Sequence, residues 1–193
     1  MESEGLGKRA PAPVPVEITS GHVAMCVEFA RDCERVRGYA GSAGWRGGIL
    51  QAKTLFGGNK VESHECPIVV GKIGEVAMCI LAGVSVDTAI RNRGDGGKDL
   101  SLPCGLVQVK TAMNNLTDKL VKDPPEMCDW FVFARWNGCE KIVFVDGYIS
   151  RSSLCNRSPK QSHRGNWLNL VVAQQELRPI RSLLAIRPIV EVI

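Results

Sequence analysis

Apolar residues keep a helical rhythm in two stretches of the chain and gather in short strand-like runs further on. After Ser20, a suitable N-cap, Val23, Val27, Ala30 and Val36 mark part of one face of a helix running to about Arg37. Ile73, Val76, Ala77, Ile80, Leu81 and Val84 repeat that spacing across Gly71–Val84, with Gly83 as the terminator. Gly38 to Lys60, between them, is Gly-rich and predicts a long loop with one short helix at Ile49–Phe56. Strand-like segments follow: Val84–Ile90, then a hairpin of Lys98–Leu102 and Leu106–Ala112 turning at Pro103–Gly105. Cys128–Trp136 and Glu140–Ile149 form a second hairpin, joined at Asn137-Gly138. Trp167–Ala173 is a further strand, and Gln174–Ala185 a short helix interrupted by Pro179. Helices followed by strands predict an α/β fold, a mixed sheet flanked by helices. Residues 1–17 read as a flexible Pro-rich tail and 18–193 as a single domain.

Composition narrows the class. With 193 residues, 45% hydrophobic and 23% charged, the chain can bury its own core and is neither disordered nor fibrous in character. The longest nearly unbroken apolar stretch, Val76–Val86, falls well short of the ~20 residues that a bilayer requires, and the N-terminus has no apolar signal core. A cytoplasmic protein that does not enter a membrane is expected. Eight cysteines carry no C-x-x-C, so reduced thiols are expected; His64 and Cys66 lack the second pair that a zinc site needs.

The net charge of +4 is unevenly spread: from Arg151 onward seven basic residues face Glu176 and Glu191, a net +5 against −1 for the rest. Such a cationic end suits a polyanion such as nucleic acid, and equally a solvated surface.

Chemistry gathers within residues 71–112. Glu75 lies on the polar side of an apolar helix, Asp99 opens a strand after a Gly-rich turn, and Gln108-Val109-Lys110 lies in the next strand. Alternation puts Gln108 and Lys110 on one face and Val107 and Val109 on the other. A hairpin can bring Asp99 beside the Gln108 amide oxygen and the Lys110 ammonium, offering hard oxygen ligands for Mg²⁺ with a cation at hand. Asp95 competes with Asp99 for the aspartate position, but it stands among Gly94, Gly96 and Gly97, where Asp commonly forms turns. Asp95-x-Gly97-x-Asp99 also starts like an EF-hand loop, but Leu100 stands where Gly is needed. Taken singly, a strand lysine, a strand glutamine and a helix glutamate are ordinary surface residues.

Glu75 in Gly-Lys-Ile-Gly-Glu, then Asp99, then Gln108-x-Lys110, resembles the PD-(D/E)XK nuclease superfamily over roughly residues 70–155. The resemblance implies a restriction-endonuclease-like fold and a nuclease that hydrolyses phosphodiester bonds, most often in DNA, with Mg²⁺ or Mn²⁺. It further implies Asp99 as main metal ligand, Gln108 coordinating through its side-chain oxygen, and the Val109 carbonyl as another ligand. Lys110 would position the attacking water or stabilise the phosphorane, and Glu75 would bind or orient a metal water. Gln108 departs from the usual Glu or Asp, leaving two formal negative charges where three are common. Two other functions compete: a nucleic-acid-binding module that keeps the fold without the chemistry, and an assembly protein that forms a homodimer through its apolar hairpin strands.

Overall fold

The computed structural model describes residues 9–37, 56, 58, 59, 61, 65–90, 98–113, 118–122, 124–161 and 168–186. The predicted helix Ile49–Phe56 (but for Phe56), His64, Asp95 and the glycines around it lie outside them.

Helix α1 spans Ser20–Arg37 and α2 spans Cys66–Ala82. The cap of α1 sits one residue earlier than expected: Thr19 Oγ1 accepts the His22 N–H at 3.1 Å, and the Thr19 N–H donates to His22 Nδ1 at 3.4 Å. Val23, Cys26, Val27 and Ala30 are buried, whereas Val36 projects into solvent. Gly83 ends α2 in the left-handed region (φ 67°), with the Val84 N–H donating to the Cys79 carbonyl at 3.0 Å. The start of α2 lies five residues before the predicted Gly71. Pro67 fits a first turn, where its missing N–H costs nothing.

The strands are β1 (Val14–Glu17), β2 (Leu100–Leu102), β3 (Gly105–Ala112), β4 (Asp118–Val121), β5 (Trp130–Asn137), β6 (Ile142–Ser150), β7 (Lys160–Gln161) and β8 (Leu168–Ala173). Short helices α3 (Arg151–Cys155) and α4 (Ile180–Leu184) follow β6 and β8, the latter after a 3₁₀ turn at Gln174–Glu176. The main sheet has the order β1-β6-β5-β3-β2 and is mixed: β3 and β5 run parallel, and every other pair is antiparallel. A smaller sheet has the order β4-β8-β7.

Alternation along β3 and β5 sorts the main sheet into two faces. Val107, Val109, Val132 and Ala134 join the core built with α1 and α2. Phe131, Phe133 and Ile149 join a second core with Val121 and Val172 of the small sheet. At Gly74 α2 approaches β3 closely: a Cβ there would lie 1.7 Å from Thr111 Oγ1.

Four expectations need correction. The end of the supposed tail, Val14–Glu17, is an edge strand paired with β6, with Val16 buried. Pro15 is tolerated because an edge strand has one side without ladder partners. Val84–Ile90 is not a strand: β2 already occupies that edge of the sheet, and the segment runs mostly exposed beside α2. Asn137-Gly138 opens a longer turn than a two-residue one, with Lys141 taking the left-handed conformation (φ 54°). The strands of this second hairpin, β5 and β6, are interior to the sheet and mostly apolar on both faces because both faces are covered. That burial removes the proposed dimer surface on them.

Candidate functional site

The β2–β3 hairpin builds one corner of the candidate site. Its turn requires Gly105 (φ 122°), where a Cβ would meet Asp129 Oδ2 at 2.5 Å, and that same oxygen accepts the Leu106 N–H at 2.8 Å. Asp99 immediately precedes β2 and is bonded on either side of Gln108. Its N–H donates to the Val107 carbonyl at 2.9 Å, and its Oδ2 accepts the Val109 N–H at 2.6 Å. A strand residue directs its N–H and C=O to the same edge, so the Val109 carbonyl also faces the Asp99 side. The β2–β3 ladder stops at Leu100↔Val107, short of that carbonyl.

Gln108 and Lys110 pair with Phe131 and Phe133 of β5, which puts them on the second face of the sheet. Gln108 is 8% exposed, and its Oε1 is buried without a hydrogen-bond partner. Lys110 is half-buried. The charge of Asp99 also reaches Cys128, whose thiol is raised first by burial and further by Asp99 and Asp129, against lowering backbone bonds. The hairpin thus ties Asp99 to the backbone of Val107 and Val109, while the Gln108 and Lys110 side chains share the second face of the sheet.

Glu75 is placed differently. It lies in the middle of α2, not at a helix start, and α2 packs on the first face of the sheet. Lys72, one turn earlier, donates to Glu75 Oε2 at 2.6 Å and to the Asp87 carbonyl, with its ammonium 4.4 Å from the Phe29 ring centroid. Lys72 is almost completely buried, so this pair is well shielded from water. Nearby thiols feel the burial: Cys26 is pushed up to about 12 and Cys79 to about 11, with Glu75 adding to both. A cavity of about 400 Å³ lies between the end of α2 and Asp99, lined by Cys79 and Asp87 together with Asp99.

Among the described residues no group of three or more His, Cys, Asp or Glu side chains is gathered to hold a metal ion. The donor set that does suit one is mixed: the Asp99 carboxylate, the Gln108 amide oxygen and the Val109 carbonyl are all hard oxygens. A buried amide oxygen without a donor is what a cation would satisfy, so these residues fit Mg²⁺ or Mn²⁺. Sequence reasoning missed Lys98, Ser85, Asp87 and Ser101 as cavity residues, and no local pattern distinguishes them from ordinary loop and strand residues. It also missed the buried Asp146, held by Lys119 at 2.6 Å and Arg135 at 2.7 Å.

No protein-family model, curated protein or solved structure matches the chain. No helix among the described residues is long and apolar enough to cross a membrane.

Proposed function

We propose that this chain is a divalent-metal-dependent nuclease of the PD-(D/E)XK kind, with a restriction-endonuclease-like fold, acting on nucleic acid, DNA first, in the cytoplasm. The observation that carries the proposal is the unpartnered, buried Oε1 of Gln108, which shares a strand face with Lys110 and precedes the Val109 N–H that Asp99 bonds. The mixed sheet with flanking helices is compatible with that fold. Asp99, Gln108 and the Val109 carbonyl would hold the ion. Bound Mg²⁺ would polarise the scissile phosphate and make hydroxide accessible near neutral pH. Lys110 would orient the attacking water and offset the negative charge that grows on the phosphorane oxygens. Glu75 acts from the helix side, where Lys72 fixes its carboxylate.

The test is a Mg²⁺ and Mn²⁺ titration against labelled branched, linear and single-stranded DNA. Metal-dependent cleavage that Lys110→Ala abolishes at an unchanged melting temperature is the expected result. One observation favours a second function, a binding module without chemistry: Glu75 is neutralised by Lys72, and Gln108 is neutral, so Asp99 supplies the charge alone. That module would bind DNA in a salt-sensitive way, cut nothing and ignore chelator.

A further inference from the structure

We infer that the cavity beside Asp99 is a nucleotide subsite, which holds one unpaired nucleotide of the strand being cut; the inference rests on the nuclease assignment and names its substrate class. The cavity measures about 400 Å³. That is near the small end of the roughly 300–1,000 Å³ typical of small-molecule sites, room for one nucleotide and far too little for a base pair with its backbones.

Its walls match the parts of a nucleotide. Val84, Leu100 and the Cys79 thiol supply an apolar surface for a base or sugar ring. Burial keeps the Cys79 thiol protonated, so it packs there as a small hydrophobe. Lys98 brings a cation, set against the carboxylates of Asp87 and Asp99 that also line the cavity, and Ser85 and Ser101, both exposed, bring hydroxyl donors suited to phosphate oxygens. Asp99 lines this cavity and also accepts the Val109 N–H of the hairpin. A phosphate attached to a nucleotide in the cavity is thereby delivered next to the ion that Asp99 would hold.

The strand must leave its partner to enter, so single strands, frayed ends and flaps are the preferred substrates over blunt internal duplex. The experiment is calorimetric titration of the full chain, in Mg²⁺, with a deoxynucleoside monophosphate and, for comparison, inorganic phosphate. The monophosphate should bind at least about tenfold more tightly than phosphate, because only it uses the apolar wall. Lys98→Ala should weaken it by about tenfold through the lost charge-assisted bond. Ser101→Tyr, on an exposed strand position that tolerates an aromatic residue, should block the cavity with the melting temperature preserved. A parallel cleavage assay compares one labelled strand alone and in blunt duplex, and the preference for the single strand should fall in Ser101→Tyr.

Monophosphate binding no tighter than phosphate, or variants that bind like wild type, would overturn the subsite. A chain that cuts DNA but fails to bind the monophosphate loses the subsite and keeps the nuclease assignment. A chain that binds the monophosphate through Lys98 and Ser101 but cuts nothing keeps the subsite and loses the nuclease.

Discussion

Asp99 Oδ2 accepts the Val109 N–H at 2.6 Å, so the carboxylate expected to hold a metal also closes the end of the β2–β3 ladder. The two roles separate by mutation. Asp99→Ala leaves a buried N–H without its partner, which costs about 1–3 kcal/mol. Asp99→Asn keeps an oxygen acceptor and removes the charge. Urea unfolding should show Asp99→Asn close to wild type and Asp99→Ala clearly weaker, while both lose metal-dependent cleavage. Full activity in Asp99→Asn would move the metal carboxylate elsewhere, with Asp95 next in line.

Gln108 gives a test of opposite sign. A buried amide oxygen without a donor already carries a desolvation penalty, and Leu is apolar and of comparable size. Gln108→Leu should therefore match or exceed wild-type stability in chelator. Added Mg²⁺ should raise the wild-type melting temperature, since an ion that binds only the folded state stabilises it, and should leave Gln108→Leu unmoved. A large loss of stability in chelator would mean that the oxygen has a protein partner after all.

The candidate hairpin was legible because both of its determinants are local. Period-two alternation puts Gln108 with Lys110 and Val107 with Val109, and the observed pairing with β5 keeps that division. Gly83 was legible as the end of α2 for the same reason. What failed depends on distant partners. Val84, Val86 and Ile90 alternate like a strand, but β2 takes the place beside β3, and Val84 is left 39% exposed. Ile80, expected in the apolar stripe of α2, also faces solvent. Val14–Glu17 becomes a strand only because β6 offers it an edge. Lys72 and Glu75 are an i,i+3 helix pair and could have been anticipated; the burial that strengthens them could not.

The cysteines should divide by exposure. No disulfide joins any of the eight, and only Cys139 and Cys155 are exposed. Burial pushes Cys26 up to about 12 and Cys66 and Cys79 up to about 11, which suppresses the reactive thiolate. Iodoacetamide at pH 8 with mass mapping should label Cys139 and Cys155 first, and the buried thiols only after denaturation. Early labelling of Cys79 in the native chain would show that the reagent reaches it through the cavity it lines.

Asp146 should matter more to stability than either of its partners. It is fully buried and takes Lys119 from the small sheet and Arg135 from the main one. Asp146→Ala leaves two cations without their shared counter-charge, at a cost of about 3–5 kcal/mol. Lys119→Met leaves Asp146 bonded by Arg135 Nε at 2.8 Å and should cost less. Urea unfolding of the two variants gives the order directly, and an equal or reversed order would show that the pair, not the carboxylate, sets the energy.

Glu176 supplies the pH-dependent case. The Arg157 guanidinium bonds both of its oxygens at 2.9 Å, and the Ala173 N–H adds a third bond at 2.8 Å. Together these hold the carboxyl below its ordinary value of 4.5, with the Arg157 bond as the largest cause. A group with a depressed folded value stabilises the fold above its unfolded value and loses that contribution as pH falls through the folded one. The stability gap between wild type and Glu176→Gln should thus be full at neutral pH and shrink below about pH 4.5. The carboxylate is 41% exposed, so 1 M salt should narrow the gap at pH 7 as well, with the Debye length down to about 3 Å. A gap that widened toward acid would mean that protonated Glu176 is the form the fold prefers, against the two Arg157 bonds.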